Sequence, residues 1–109
     1  MSLIKIVIYA TNTKKEPYSD WEDKLDKMTR AIVKNRLDRI RLGNFGDAKM
    51  IKDGEGIWEL RIDYGPGYRI YFGKKEAKIV ILLMGGDKRS QNRDIAKAKR
   101  YWFEYKELI

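Results

Sequence analysis

The sequence predicts an α+β fold: a strand, two helices, four further strands and a closing helix, with a curved, mainly antiparallel sheet (βααββββα). Three observations carry this expectation. A helical hydrophobic period holds over residues 18–42, a period of two replaces it over residues 48–84, and a helical period returns from Lys88 onward. The opening Leu3-Ile4-Lys5-Ile6-Val7-Ile8-Tyr9 sets Ile4, Ile6 and Ile8 on one face and reads as a strand, which ends in the polar stretch before Pro17. Trp21 and Leu25, then Met28, Ile32, Val33, Leu37 and Ile40, mark one apolar arc. Asp26 suits an N-cap, which divides this segment into two helices, and Gly43 suits the left-handed position that ends the second. Strands are predicted at 48–53, 56–64, 68–73 and 77–84, separated by Asp53-Gly54, Gly65-Pro66-Gly67 and Lys74-Lys75-Glu76. The last of them is apolar on both faces, as a central strand is. Ile95, Ala98, Trp102 and Tyr105 recur at helical spacing and define the closing helix.

A chain of 109 residues fills one hydrophobic core, so residues 1–109 are expected to form one domain. The absence of Cys and His removes disulfides, thiolate nucleophiles, imidazole acid/base pairs and most transition-metal sites together, and no cofactor is expected. The longest apolar run, 79–84, is far too short to span a bilayer, and Lys5 interrupts the apolar opening where a secretory leader would need continuity. A cytoplasmic protein without a membrane partner is the expectation. The 24 basic and 16 acidic side chains give a net charge of +8, which favours a polyanionic partner such as nucleic acid.

Several residues are candidates for that chemistry. If Gly65-Pro66-Gly67 is a three-residue hairpin loop, Tyr64 faces Tyr68, Ile62 faces Ile70 and Leu60 faces Phe72, which turns one apolar set towards the helices. The other face then carries Glu59, Arg61 and Asp63 beside Arg69, Tyr71 and Gly73, with Asp63 opposite Arg69 and Arg61 opposite Tyr71. Two arginines and a tyrosine on one exposed face suit phosphate handling without a metal or a histidine. Ordinary surface pairs, Asp63 with Arg69 and Glu59 with Arg61, are the alternative that spacing leaves open. Gly85-Gly86-Asp87-Lys88 allows close backbone approach and a capping aspartate, and it sets Lys88 and Arg89 at the rim of that face, but it lacks the spacing of a P-loop. Lys49 and Lys52 are candidates for backbone phosphate contacts. Trp21, Trp58 and Trp102 read as packing residues. On the second helix Lys27, Arg30, Lys34 and Arg41 form a basic stripe, a solvated face or a partner surface, while Arg36 and Arg39 need acidic partners or a route to solvent.

Three blocks carry a resemblance. They are the run from Arg36 to Asp47, then Glu59-Leu60-Arg61-Ile62 with Tyr64-Gly65-Pro66-Gly67-Tyr68-Arg69-Ile70-Tyr71-Phe72, then Gly85-Gly86-Asp87-Lys88 with Gln91 and Asp94-Ile95. From about Trp21 to Trp102 the chain resembles the RelE/ParE superfamily, and more narrowly the phage Gp49-like, HigB-type addiction module killer proteins. The resemblance implies the toxin of a type II toxin–antitoxin pair. RelE-like members are mRNA interferases: they cut mRNA, usually in the ribosomal A site, with the ribose 2′-OH as nucleophile and basic side chains in place of a metal. ParE-like members share the fold and poison DNA gyrase instead, and an inactivated toxin retained for repressor binding is a further alternative. Arg69 matches the arginine that RelE-like enzymes set on the scissile phosphate, Arg61 a basic position on the neighbouring strand, and Lys88 or Arg89 the basic residue before the last helix. No tyrosine lies between Asp87 and Arg100, where several RelE-like members hold a catalytic one, so Tyr71, Tyr68 or a lysine of depressed pKa stands as candidate base. The implied catalytic set is Arg61, Arg69, Lys88 and Tyr71, with Lys49, Lys52, Tyr68 and Arg89 binding RNA. The implied partners are mRNA, the ribosome and a helix-turn-helix antitoxin, with DNA bound only through the antitoxin. Its acidic segment is expected on Lys27, Arg30, Lys34 and Arg41, or over the Arg61 and Arg69 face.

Overall fold

The computed structural model describes residues 3–108, so residues 1, 2 and 109 of the predicted domain lie outside the described residues. The elements run β1 (Lys5–Ile8), α1 (Pro17–Asp23), α2 (Lys27–Arg41), β2 (Ala48–Met50), β3 (Trp58–Ile62), β4 (Tyr68–Lys75), β5 (Ile79–Asp87) and α3 (Gln91–Leu108). The fold class and the order of elements are those expected. One five-stranded sheet has the order β1-β5-β4-β3-β2, with β1 parallel to β5 and the other neighbours antiparallel.

The apolar pattern explains the layers. Alternate residues of β5 enter two cores: Val80 and Leu82 pack with Leu60, Ile62, Ile70 and Phe72 under α1 and α2, whereas Ile81 and Leu83 pack with Ile57, Tyr71, Ala98 and Trp102 under α3. The sheet is therefore covered by helices on both faces. No helix among the described residues is long and apolar enough to cross a membrane. The helix signals hold as read: Asp26 accepts from Thr29 N at 3.3 Å, and Gly43 has φ +93° and donates its N–H to Ile40 O.

Several strand boundaries differ from expectation: β3 is shorter at both ends, over Trp58–Ile62, and β4 runs on to Lys75. β2 stops at Met50 because residues 51–57 curl back, with Ile51 N bonded to Ile57 O and left-handed backbone at Asp53, Glu55 and Gly56. β5 begins at Ile79 and continues through Gly85 and Gly86, which pair with Ile70 and Arg69. These glycines are packing positions within a strand: a Cβ on Gly85 would run into the Trp21 ring, and one on Gly86 into the Asp94 carboxylate. Asp87 does cap the turn that follows, accepting from Arg89 N at 2.9 Å and Ser90 N at 3.2 Å. A bulge in β5 opposite Tyr71 and Phe72 bends the central strands. The tryptophans pack as expected: Trp102 is buried, and half-buried Trp21 and Trp58 border the first core.

Gly73 of β4 lies flat beneath the Trp102 ring, with no room for a Cβ. Gly73→Ala must displace α3 from the sheet and is expected to lower stability by about 1–3 kcal/mol, read as a lower urea midpoint at unchanged m-value.

Candidate nucleic-acid interface

The β3–β4 turn positions the site. It spans residues 63–67 rather than three residues, so the register is Arg61 opposite Arg69, Leu60 opposite Ile70 and Glu59 opposite Tyr71. Tyr64 N bonds to Ile62 O and Gly67 N to Tyr64 O, both at 3.0 Å, with Gly65 at φ +57° and Gly67 at φ +82°. The faces are as expected because the slip is an even number of residues. The partners are not. Instead of Asp63 neutralising Arg69, two guanidinium groups stand side by side across the strands.

Like charges directly opposite each other repel, so each arginine is held by its own carboxylate. Arg61 Nη2 lies 3.3 Å from Asp47 Oδ1, an exposed pair at the sheet's edge. Arg69 Nε lies 3.8 Å from Glu59 Oε1, and the two side chains are 12 % and 2 % exposed. The Glu59 to Arg61 surface pair is thus replaced by a buried Glu59 to Arg69 pair, and Glu59 also accepts from Gln91 Nε2 at 2.7 Å. α3 begins at Gln91, so it covers the Tyr71 end of this face and leaves the Arg61 and Arg69 end open. An open cleft of about 490 Å³ remains there, lined by Arg61, Arg69 and Lys88 together with Asp47, Asp63 and the 65–67 turn. Gly67 is pressed between Arg69 and Lys88: a Cβ on it would stand 3.6 Å from Arg69 Nη1 and 3.7 Å from Lys88 Cβ. Lys88 is exposed and makes no ion pair among the described residues.

The remaining candidates fall elsewhere. Tyr71 is fully buried against α3, and its hydroxyl makes no hydrogen bond among the described residues. The expected exposed tyrosine is therefore behind the cleft, because α3 crosses its face. Burial first, then the nearby Glu59 and Asp94 carboxylates, raises its pKa well above the ordinary phenol range. Tyr68 points to the opposite face, against Trp21 at 6.2 Å between ring centroids. Lys49 pairs with Glu59 and so shares the site's face, at the edge of the sheet; Lys52 is exposed in the turn after β2. Neither lines the cleft. Arg89, 3.8 Å from Asp87, borders a neighbouring hollow of about 370 Å³ with Arg93 and Ser90.

On α2 the basic stripe is largely committed within the chain. Arg30 donates to Glu22 O, Asp23 O and Leu25 O, closing the end of α1, while Lys34 lies 4.0 Å from Glu22 and Arg41 2.7 Å from Asp38. Lys27 is exposed, and so is Arg39, whereas Arg36 runs along Gly46 towards solvent. Sequence reasoning from the residues did not single out Asp47, Glu59 as a buried partner, or Arg93. Gln91 and Asp94 stood in the third sequence block without an assigned task; Asp94 is buried and accepts from Ser90 Oγ.

An α+β fold with an open, arginine-lined cleft beside its last helix defines a class of small basic proteins rather than one molecule. The family is specific. The chain matches the family described as Phage derived protein Gp49-like (DUF891) over residues 20–102, a stretch that contains all three sequence blocks, and it belongs to that family of RelE/HigB-type addiction module toxins. It is 46% identical over 83 residues, 75% of this chain and 82% of its relative, to an uncharacterized protein of Haemophilus influenzae.

Tyr71→Phe removes a buried hydroxyl that has no hydrogen-bond partner among the described residues, so the variant should be as stable as the parent or more so, and as toxic in cells. Its effect on alkaline stability has a definite sign. The folded-state pKa lies above the unfolded value of about 10, so Tyr71 favours the folded state below that pH and loses this contribution as pH rises towards the folded pKa. Unfolding followed by circular dichroism should therefore begin at higher pH in Tyr71→Phe.

Proposed function

We propose that this chain is the toxin of a type II toxin–antitoxin pair and that it cleaves mRNA on the ribosome without a metal. The observation that carries this reading is the convergence of Arg61, Arg69 and Lys88 on one open cleft. In the reaction the ribose 2′-oxygen attacks the adjacent phosphorus, the bond to the 5′-oxygen breaks, and a 2′,3′-cyclic phosphate and a free 5′-hydroxyl result. Charge accumulates on the non-bridging oxygens of the pentavalent phosphate, where paired guanidinium N–H donors bind best. Lys88 supplies charge and a proton to the leaving 5′-oxygen. The cleft's carboxylates are Asp47, which Arg61 engages, and Asp63, which has no partner among the described residues, so Asp63 receives the 2′-hydroxyl proton in this reading.

Arg61→Ala is the cleaner test of the two arginines, because its partner Asp47 is 56 % exposed and is simply released to water. Arg69→Ala instead strands the buried Glu59 charge, a loss of roughly 3–5 kcal/mol that confounds activity with folding. Arg61→Ala should keep its melting profile while cleavage falls by about 10²–10³. Brief induction followed by primer extension on cellular messages measures it. Wild-type cuts at codon spacing support the reading; intact message with broken chromosome points to a gyrase poison, and neither outcome to an inactive remnant.

The antitoxin partner follows from the family. In this reading its acidic, helix-turn-helix-linked segment lies over the Arg61 and Arg69 face, since the α2 cations Arg30, Lys34 and Arg41 already have partners within the chain. Association should slow at least several-fold from low to physiological salt, as electrostatic steering requires. Stopped-flow rates that stay flat across that range would count against charge complementarity at this face.

A further inference from the structure

Beneath the cleft lies a polar contact that the proposed reaction does not use. Glu59 is 2 % exposed, and three elements meet on its carboxylate: β3 carries it, Arg69 of β4 stands 3.8 Å from Oε1, and Gln91 at the start of α3 donates to Oε2 at 2.7 Å. A buried carboxylate is tolerated only when paired and hydrogen-bonded, so this position is demanding and specific. The guanidinium opposite it is oriented accordingly. Arg69 Nε is buried and makes no hydrogen bond among the described residues, facing Glu59, while Nη1 reaches Tyr68 O at 3.1 Å and lies beside Gly67 in the cleft. Arg61 Nε is buried as well, but the carboxylate beside that guanidinium is the exposed Asp47 on the rim.

We propose that Glu59 is a positioning residue for Arg69, and that Gln91 fixes Glu59, so the seating of α3 on the sheet sets the angle at which one guanidinium meets the scissile phosphate. This rests on the reading of the cleft as a phosphate-cleaving site. The physical argument is preorganisation. With Nε set against Glu59 and Nη1 donating to Tyr68 O, the guanidinium at the cleft is oriented before substrate arrives, and little orientational freedom is left to lose in the transition state. Electrostatics alone predicts the opposite consequence of removing Glu59. Its negative charge opposes an anionic substrate, so Glu59→Gln should tighten binding and leave turnover equal or faster if the residue acted through charge.

The test compares the wild-type protein, Glu59→Gln, Gln91→Leu, Arg69→Lys and the Glu59→Gln/Arg69→Lys double variant. It measures cleavage of a short message on programmed ribosomes and the ¹⁵N-edited Arg Nε–Hε spectrum of the free protein. Glu59→Gln should lower kcat by about tenfold to a hundredfold with KM unchanged or lower, and should add nothing further in the Arg69→Lys background. The Arg69 Nε–Hε resonance, identified by its loss in Arg69→Lys, should be protected from exchange in the wild-type protein and lose that protection in Glu59→Gln. Gln91→Leu should move the same resonance and the same kcat less far, and it replaces Glu59→Gln as the deciding variant if the latter does not fold. A folded Glu59→Gln protein with wild-type kcat, an additive loss in the double variant, or an unmoved Arg69 resonance overturns the proposal. A wild-type protein that cleaves nothing yet shows the protected Arg69 resonance defeats the cleavage reading and leaves the positioning of Arg69 by Glu59 standing.

Discussion

A strand that is apolar on both faces has to be covered on both, and β5 imposes that requirement on the whole chain. Val80 and Leu82 are sealed by α1 and α2, and Ile81 and Leu83 by α3. The second cover is incomplete, and its incompleteness makes the cleft. α3 is drawn close to the sheet at two glycines where a side chain would block it, Gly73 under Trp102 and Gly86 under Asp94, while on the far face Gly85 admits Trp21 of α1. Helix and sheet meet closely along this line and part where α3 begins, at Gln91. Beyond that point the same sheet face continues uncovered, and Arg61 and Arg69 occupy it.

The two arginines are neighbours by register but differ in electrostatic setting. Arg61 is 40 % exposed beside an exposed carboxylate, an arrangement worth little in water. Arg69 is nearly enclosed and faces a carboxylate that solvent does not reach. One thus stands beside an exposed carboxylate and the other beside a buried one. Their like charges are offset by two different acids, Asp47 before β2 and Glu59 on β3.

The elements were legible because hydrophobic period, caps and turn residues agree along most of the chain: the Asp26 cap, the Gly43 stop and the doubly apolar strand all stand where the sequence places them. The face shared by Glu59, Arg61, Arg69 and Tyr71 was legible too, since the alternation of strands survives an even slip. The register was not. Whether Asp63 and Tyr64 belong to strand or turn depends on hydrogen bonds around two left-handed glycines, and composition does not set these. Nor does periodicity say which polar residues of an alternating strand end up beneath a helix crossing from the far end of the sequence. That crossing buries Tyr71 and Glu59 and packs Asp94 against Gly86, while Trp21 of α1 packs against Gly85 on the other face, so the glycine pair fills packing positions within the strand. The basic stripe of α2 shows the same limit: Arg30 is taken up by the carbonyls of α1, which lie close only after the two helices fold back on each other.

With no histidine and no cysteine, the chain's charged chemistry at this cleft rests on arginine, lysine and carboxylate, groups whose attraction for an anion weakens steeply in open water. Three cations lining an exposed cleft attract any anion only modestly while solvent fills it. The same groups act much more strongly once a large substrate displaces that water, because the screening is lost while the donors stay where the fold holds them. Under the function proposed for it, a cleft of this construction gains most from a substrate that brings its own cover, such as an RNA strand held in a larger particle, and least from a free mononucleotide. The buried Glu59 fits this account: a fixed Arg69 spares reorganisation at the moment of closure, when no water remains to reorient around a moving charge.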